Sequence, residues 1–239
     1  MLGYISQIAK NFLLLYPRYV CKKEFSRKNV YSLNERPVEY RFVFEQLSRF
    51  YPMNILDVGT GITALPHLMS NCGFNVTATD NVKDYWPAGM YNRHYYVIDD
   101  DITKTKITDK FDLITCISVL EHIENADIAV KNMFSLLKPH GYIVLTCPYN
   151  EKEYVSNVYE LPQSRGGENA PYICQSFSRG SLDQWLEQNN ASIIAQEYWQ
   201  FFEGAYWTIG DEIIPPRKVT QADPHQHTCI LMQNNNAID

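Results

Sequence analysis

No C-x-x-C pair occurs among the six cysteines (Cys21, Cys72, Cys116, Cys147, Cys174 and Cys229), so neither a structural zinc site nor a small disulfide framework is expected. Scattered thiols fit a reducing, cytoplasmic setting. Basic charge is also sparse. The chain has 21 Lys and Arg against 27 Asp and Glu, a net charge of −6, and its only basic cluster is Lys22, Lys23, Arg27 and Lys28. A nucleic-acid partner needs a basic surface, so that class is set aside. Long apolar runs are missing too. The patch Phe12–Tyr16 follows Lys10-Asn11 and has no basic leader or cleavage site, which argues against a secretory signal and against stable membrane insertion. There is no internal repeat, and the only biased tract is the polar tail Gln233-Asn234-Asn235-Asn236.

What is present begins at Asn54-Ile55-Leu56-Asp57-Val58-Gly59-Thr60-Gly61-Ile62-Thr63-Ala64-Leu65-Pro66. A short apolar strand runs into a turn with two glycines, and a helix opens behind it. Such a turn is expected to leave bare backbone N–H groups at a helix start, with Gly59 and Gly61 letting a ligand approach the backbone. Asp57 would repel a pyrophosphate but suits a cationic amino group. The pattern points to a nucleoside carrying an amino-acid arm. The same residues satisfy the loose G-x-G-x-x-G/A dinucleotide pattern, so a nicotinamide-dependent Rossmann oxidoreductase is a rival reading.

The next segments supply further acids at strand ends. Phe74–Asp80 reads as a second strand whose terminal Asp80 can accept ribose hydroxyls. Tyr95–Ile98 reads as a third, followed by Asp99-Asp100-Asp101-Ile102, where Asp101 can meet an adenine amino group and Ile102 its ring. Phe111–Ile117 is a fourth strand, leading into Ser118-Val119-Leu120-Glu121-His122-Ile123. A helix capped by Asn125 or Asp127 runs through Leu137 and stops at Lys138-Pro139-His140-Gly141. A fifth strand, Tyr142–Cys147, ends at Pro148.

The series DVGTG, TATD, DDDI, FDLITCISVLEHI and LKPHGYIVLTCP, from Ile55 to Pro148, resembles the motif set of class I S-adenosylmethionine-dependent methyltransferases of the small-molecule type. Two positions depart from it: Thr63 replaces the third glycine, where its hydroxyl can cap the helix, and His140 replaces a glycine. The resemblance implies an α/β, Rossmann-like, seven-stranded and mostly parallel sheet of order 3-2-1-4-5-7-6, with helices on both faces and an N-terminal helical cap. It implies S-adenosyl-L-methionine as cofactor, with Asp57, Gly59 and Gly61 at the methionine arm. Asp80 would take the ribose, Asp101 and Ile102 the adenine, and Ile117 and Ser118 would lie beside the sulfonium. His122 is the candidate general base for a hydroxyl acceptor, or else a packing or hydrogen-bonding residue next to the cofactor. A non-catalytic cofactor-binding module is the other alternative.

Residues 1–239 read as one domain: a helical cap over 1–50, which covers the cofactor cleft, a cofactor-binding core over 51–148, and acceptor-side loops with a C-terminal hairpin over 149–239. Arg36–Phe50 reads as a helix with Pro37 in its first turn, and Tyr40 on it can close over the cofactor. Ser178 caps a helix to Asn189, and strands follow over Ser192–Phe202 and His227–Gln233. The insertion Glu203–Gln226, with Trp207, Pro215-Pro216 and Arg217-Lys218, is expected to lid the acceptor site. Tyr149 is a loop aromatic within reach of the acceptor. His225 and His227, at i and i+2, should point to one side and lie at the surface or line a pocket, since with Asp223 they make a poor metal signature. The acceptor is expected to be a small or medium-sized molecule, such as a saccharide or secondary metabolite, methylated on oxygen. Oligomeric state is not legible.

Overall fold

The computed structural model describes residues 11–26, 34–82, 95–166 and 172–236. The chain divides into two compact units, Met1–Pro37 and Val38–Asp239. The first contains helix α1, Leu15–Ser26. Most of helix α2, Arg36–Phe50, belongs to the second unit, so this part of the expected cap is built into the larger body. None of the described helices is long and apolar enough to cross a membrane.

The second unit is a single twisted sheet with helices on both faces. Its strands are β1 (Asn54–Val58), β2 (Asn75–Asp80), β3 (Val97–Asp99), β4 (Phe111–Ile117), β5 (Leu137–Asn150), β6 (Phe177–Ser178), β7 (Ala191–Phe202), β8 (Glu212–Val219) and β9 (His227–Asn234). The order is β3-β2-β1-β4-β5-β9-β7-β8, with the two-residue β6 pairing β5 off this path. Strands β3 to β5 run parallel in the ladder, whereas β9 is antiparallel to both β5 and β7. This is the mostly parallel arrangement anticipated, with the last strand inserted beside the fifth.

The strand residues alternate between two cores, as a period of two requires. Leu56, Val58, Ile114, Cys116, Ile143, Leu145, Ile230 and Met232 pack under α4 (Ala126–Leu136) and α5 (Arg179–Asn189). Ile55, Leu113, Ile117, Val144, Cys229 and Leu231 pack under α2 and α3 (Leu65–Asn71). Helix α2 meets the sheet with Val38, Phe42, Val43 and Leu47, the i, i+4 stripe of an amphipathic helix. Burying side chains such as Phe42 and Leu47 contributes roughly 1.5–3 kcal/mol each relative to exposure. Cys116, Cys147 and Cys229 are fully buried strand residues, as expected, and burial pushes their thiols up.

Several boundaries differ from the sequence reading, each for a physical reason. The segment expected as an insertion from Glu203 to Gln226 is mostly strand: Glu212–Val219 pairs antiparallel with β7 at the sheet edge. Edge strands tolerate proline, so Pro215 and Pro216 do not prevent it. Strand β5 does not stop at Cys147. Pro148 sits opposite His227 in the ladder, and pairing continues because Tyr149 N–H donates to Gln226 O at 2.9 Å. Tyr149 is therefore a fully buried strand residue, not a loop aromatic. Residues 138–141 bulge between the Phe111–Leu137 and Leu113–Tyr142 pairs, with His140 in a left-handed conformation (φ 60°).

Helix caps also depart in part. Ser178 and Ser181 form the capping box that starts α5. Asn125 is the N-cap of α4 but makes no side-chain cap bond, and Asp127 instead accepts from Trp185 Nε1 at 2.6 Å. Helix α3 starts at Ala64 without a side-chain cap, so the Thr63 hydroxyl does not perform that role.

Candidate functional site

Parallel registry brings the C-terminal ends of β1, β2 and β4 level. Val58 pairs with Thr79 on one side and Cys116 on the other, and Asp57 lies opposite Ala78 and Thr115. Both turn glycines adopt left-handed conformations (φ 70° at Gly59, 54° at Gly61) that a side chain resists. A Cβ at Gly59 would stand 2.3 Å from Val119 Cγ1, so the corner after β4 rests on the bare backbone of the turn after β1.

The expected bare N–H groups are not bare. Gly59 N–H and Thr60 N–H both donate to Thr79 O (2.9 and 3.0 Å), and Gly61 N–H donates to Asp80 Oδ2 at 2.6 Å. The tip of β2 reaches over the turn and takes its donors. The turn thus offers shape and a fixed acid in place of an open anion cradle. A seven-residue α3 behind it adds little macrodipole.

Asp57 is buried, and its Oδ1 accepts from the Thr115 hydroxyl. Thr60 is held by Tyr95, a residue passed over in the sequence: its hydroxyl donates to Thr63 O at 2.6 Å and meets Thr60 Oγ1 at 3.0 Å. Burial pushes the Tyr95 phenol up from 10.0 to about 12. Asp80, Asp57 and both glycines therefore converge on one edge of the sheet.

Asp101 and Ile102 sit on the next turn along. Asp101 Oδ1 accepts from Thr103 N–H (2.9 Å) and Oγ1 (2.8 Å), and Oδ2 pairs with Lys104 at 3.3 Å, contacts that hold its carboxyl below the usual range against its own partial burial. Asp101 thereby caps a short 3-10 helix, and Ile102 is buried in the core under α4.

Ile117 ends β4 in the α2-side core. Ser118 follows in a left-handed conformation (φ 49°), unusual for a side-chain-bearing residue. Its N–H is shared between Thr146 O (3.1 Å) and Thr146 Oγ1 (3.0 Å), and its hydroxyl donates to Glu39 Oε1 at 2.5 Å. Glu39 is fully buried and collects two further groups, the Thr146 hydroxyl at 2.6 Å and His227 Nε2 at 3.2 Å. The sequence passed over Glu39. Its signal was a carboxylate inside the apolar stripe of α2, beside Val38 and ahead of Phe42.

His122 ends the 3-10 helix Leu120–His122 and turns to a different segment. Its Nδ1 lies 2.7 Å from Ile173 O, and its ring meets Tyr172 edge-on at 4.5 Å. With Nδ1–H given to the carbonyl, Nε2 keeps the lone pair, a tautomer assigned from the hydrogen bond. Gln175 ties this segment down through its N–H to Glu121 O and its amide to Ile123 O.

The two C-terminal histidines are neither at the surface nor on one side. Strand alternation starts only at His227, so it does not relate His225 to it. His225 stacks on Tyr149 (5.7 Å) and lies 4.8 Å from Tyr198, and burial lowers its pKa. His227 packs against Phe201 (5.4 Å) and Trp207 (5.6 Å). Trp207 is in the turn after β7, the part of the insertion that folds back on the sheet. Among the described residues, no group of three or more His, Cys, Asp or Glu side chains is arranged to hold a metal ion.

Comparison with known proteins decides the family. A family model described as a methyltransferase domain matches residues 33–196. The chain belongs to this methyltransferase-domain family. Among curated proteins, the ubiquinone biosynthesis O-methyltransferase of Rickettsia canadensis is 27% identical over 51% of this chain and 56% of its own length. The Coxiella burnetii enzyme of the same name is 27% identical over 66% of this chain and 71% of its own. The alignment thus spans only about half the length of the Rickettsia relative. Among solved structures, the 1,6-didemethyltoxoflavin-N1-methyltransferase of Burkholderia thailandensis, crystallised with its substrate and S-adenosylhomocysteine, superposes with a TM-score of 0.56 at 13% identity. It covers 98% of this chain and 90% of that one, a likeness of fold. The methyltransferase domain therefore has the family's sheet with its candidate acids at the expected strand ends.

Proposed function

We propose that this chain transfers a methyl group from S-adenosyl-L-methionine to a hydroxyl of a small or medium-sized acceptor. The observation that carries the reading is the convergence of Asp57, two left-handed glycines and an anchored Asp80 at one edge of the sheet. This donor set fits the cofactor: Asp57 suits the amino group of the methionine arm, Asp80 suits ribose hydroxyls, and the glycines leave no Cβ in the way. Asp101 and Ile102 lie beyond β3 for the adenine, and Ile117 and Ser118 end β4 for the sulfonium. The antiparallel β9 between β5 and β7 also weighs against a nicotinamide oxidoreductase.

The sulfonium supplies an already electrophilic methyl carbon, so the protein has two tasks: to align the acceptor oxygen and to receive its proton. His122 is suited to the second, because the Ile173 carbonyl holds Nδ1–H and leaves Nε2 as the proton acceptor. The names of the curated relatives support oxygen as the target atom. The acidic net charge supports a small molecule over a nucleic acid, and a saccharide or a secondary metabolite is the class to screen.

The test is methyl-labelled cofactor incubated with panels of hydroxylated saccharides and aromatic metabolites. Label in a product, with His122→Asn lowering kcat by about 10²–10⁴-fold and leaving cofactor affinity intact, supports the assignment. Unchanged kcat in His122→Asn removes His122 as the base, and absence of label from every acceptor while the cofactor binds favours a binding module.

A further inference from the structure

The polar residues on the α2-facing side of the sheet are few, and most of them lead to Glu39. Along β4, β5 and β9 this face carries Thr115, Thr146 and His227 among apolar neighbours, and Ser118 follows β4 directly. Three of these four place a donor on the same oxygen of Glu39: Ser118 Oγ at 2.5 Å, Thr146 Oγ1 at 2.6 Å and His227 Nε2 at 3.2 Å. Glu39 and His227 are both fully shielded from solvent.

Three donors on one oxygen is the environment of an ionised carboxylate, which accepts only. With Nε2–H given to Glu39, His227 leaves Nδ1 as a lone pair, and that nitrogen is buried without a hydrogen-bond partner. The imidazole therefore contributes a dipole to the site, and the carboxylate supplies the charge. Core stability does not call for such a charge, since apolar groups of like volume would pack there at no electrostatic cost. Ser118 reaches Glu39 only by adopting a left-handed backbone, a strain that the fold retains at the end of β4.

We propose that Glu39 is an electrostatic specificity residue that favours a cationic sulfonium over a neutral thioether at the end of β4. The inference rests on the cofactor reading above, which puts the sulfur beside Ser118. In a site shielded from water, a fixed negative charge one hydrogen bond from Ser118 stabilises a positive sulfur more than it would in solvent. Methyl transfer neutralises that sulfur. The same charge therefore holds the reactant and loosens its hold on the product, S-adenosylhomocysteine, at the moment product release is needed. His227 and Thr146 act as positioning residues that keep the carboxylate turned toward Ser118, and Trp207 and Phe201 shield the imidazole.

The experiment is calorimetric titration of S-adenosylmethionine and, separately, S-adenosylhomocysteine into wild type, Glu39→Gln and Thr146→Val, each checked for folding by thermal melt. Glu39→Gln should weaken the sulfonium relative to the thioether by about tenfold, as loss of one nearby charge in a shielded site predicts. Thr146→Val, which keeps the charge, should shift both affinities together. If Glu39→Gln does not fold, the apolar double variant Glu39→Met/His227→Phe takes its place and should show the same change in ratio. An unaltered ratio in a folded variant lacking the carboxylate overturns the proposal. If wild type binds neither ligand, the cofactor reading has failed, and this inference with it.

Discussion

Asp80 Oδ2 accepts the backbone N–H of Gly61 at 2.6 Å, so the acid at the tip of β2 and the second glycine of the turn after β1 are fixed to each other. One bond thereby couples the two parts of the site assigned to the ribose and the methionine arm. Asp80→Ala should cost about 1.5–3 kcal/mol of stability, the range for hydrogen bonds to a charged group, and should abolish measurable cofactor binding. Asp80→Asn, which keeps an oxygen for Gly61, should recover most of the stability but little of the binding. Denaturant melts alongside calorimetry separate the two effects.

The contact between Gly59 and Val119 predicts a steric dependence. Gly59→Ala places a Cβ 2.3 Å from Val119 Cγ1 at a left-handed backbone position, and should destabilise by about 1–3 kcal/mol. Pairing it with Val119→Ala should restore part of that loss, leaving the backbone strain. A double-mutant cycle in urea reads the coupling, and strict additivity would show that Val119 is not what Gly59 accommodates.

Tyr95 bonds Thr60 and Thr63 across the glycine turn, and its phenol is raised from 10.0 to about 12 by burial. A raised pKa means that the native state holds its proton after the unfolded chain has released it. Stability from Tyr95 is therefore complete below about pH 10 and declines as pH rises towards 12. The stability gap between wild type and Tyr95→Phe should be constant at lower pH and narrow over that window. A gap independent of pH across the range would contradict the assignment.

Much of the fold was legible because buried strands and amphipathic helices write their period directly into the chain. Helix α2 was placed at Arg36–Phe50, and the last strand was placed next to the fifth. Strand β8 was hidden by Pro215 and Pro216, which forbid a central strand but not an edge one. The continuation of β5 through Pro148 was hidden for a similar reason, as Tyr149 carries the ladder past it.

At the site, the acids of the motifs stood out because each follows a strand. Long-range partners did not stand out. Glu39 and His227 are far apart in sequence, and nothing local in either segment announces that β9 will bring them together. Nor does a glycine turn show that the neighbouring strand will consume its N–H groups, which depends on how β1 and β2 align.

The most direct measurement is calorimetric titration of S-adenosylhomocysteine into the full chain, with NADH as the control ligand. The account predicts saturable binding of S-adenosylhomocysteine that Asp80→Ala abolishes, and no heat from NADH. Binding of NADH without binding of S-adenosylhomocysteine would contradict the methyltransferase reading and favour hydride transfer.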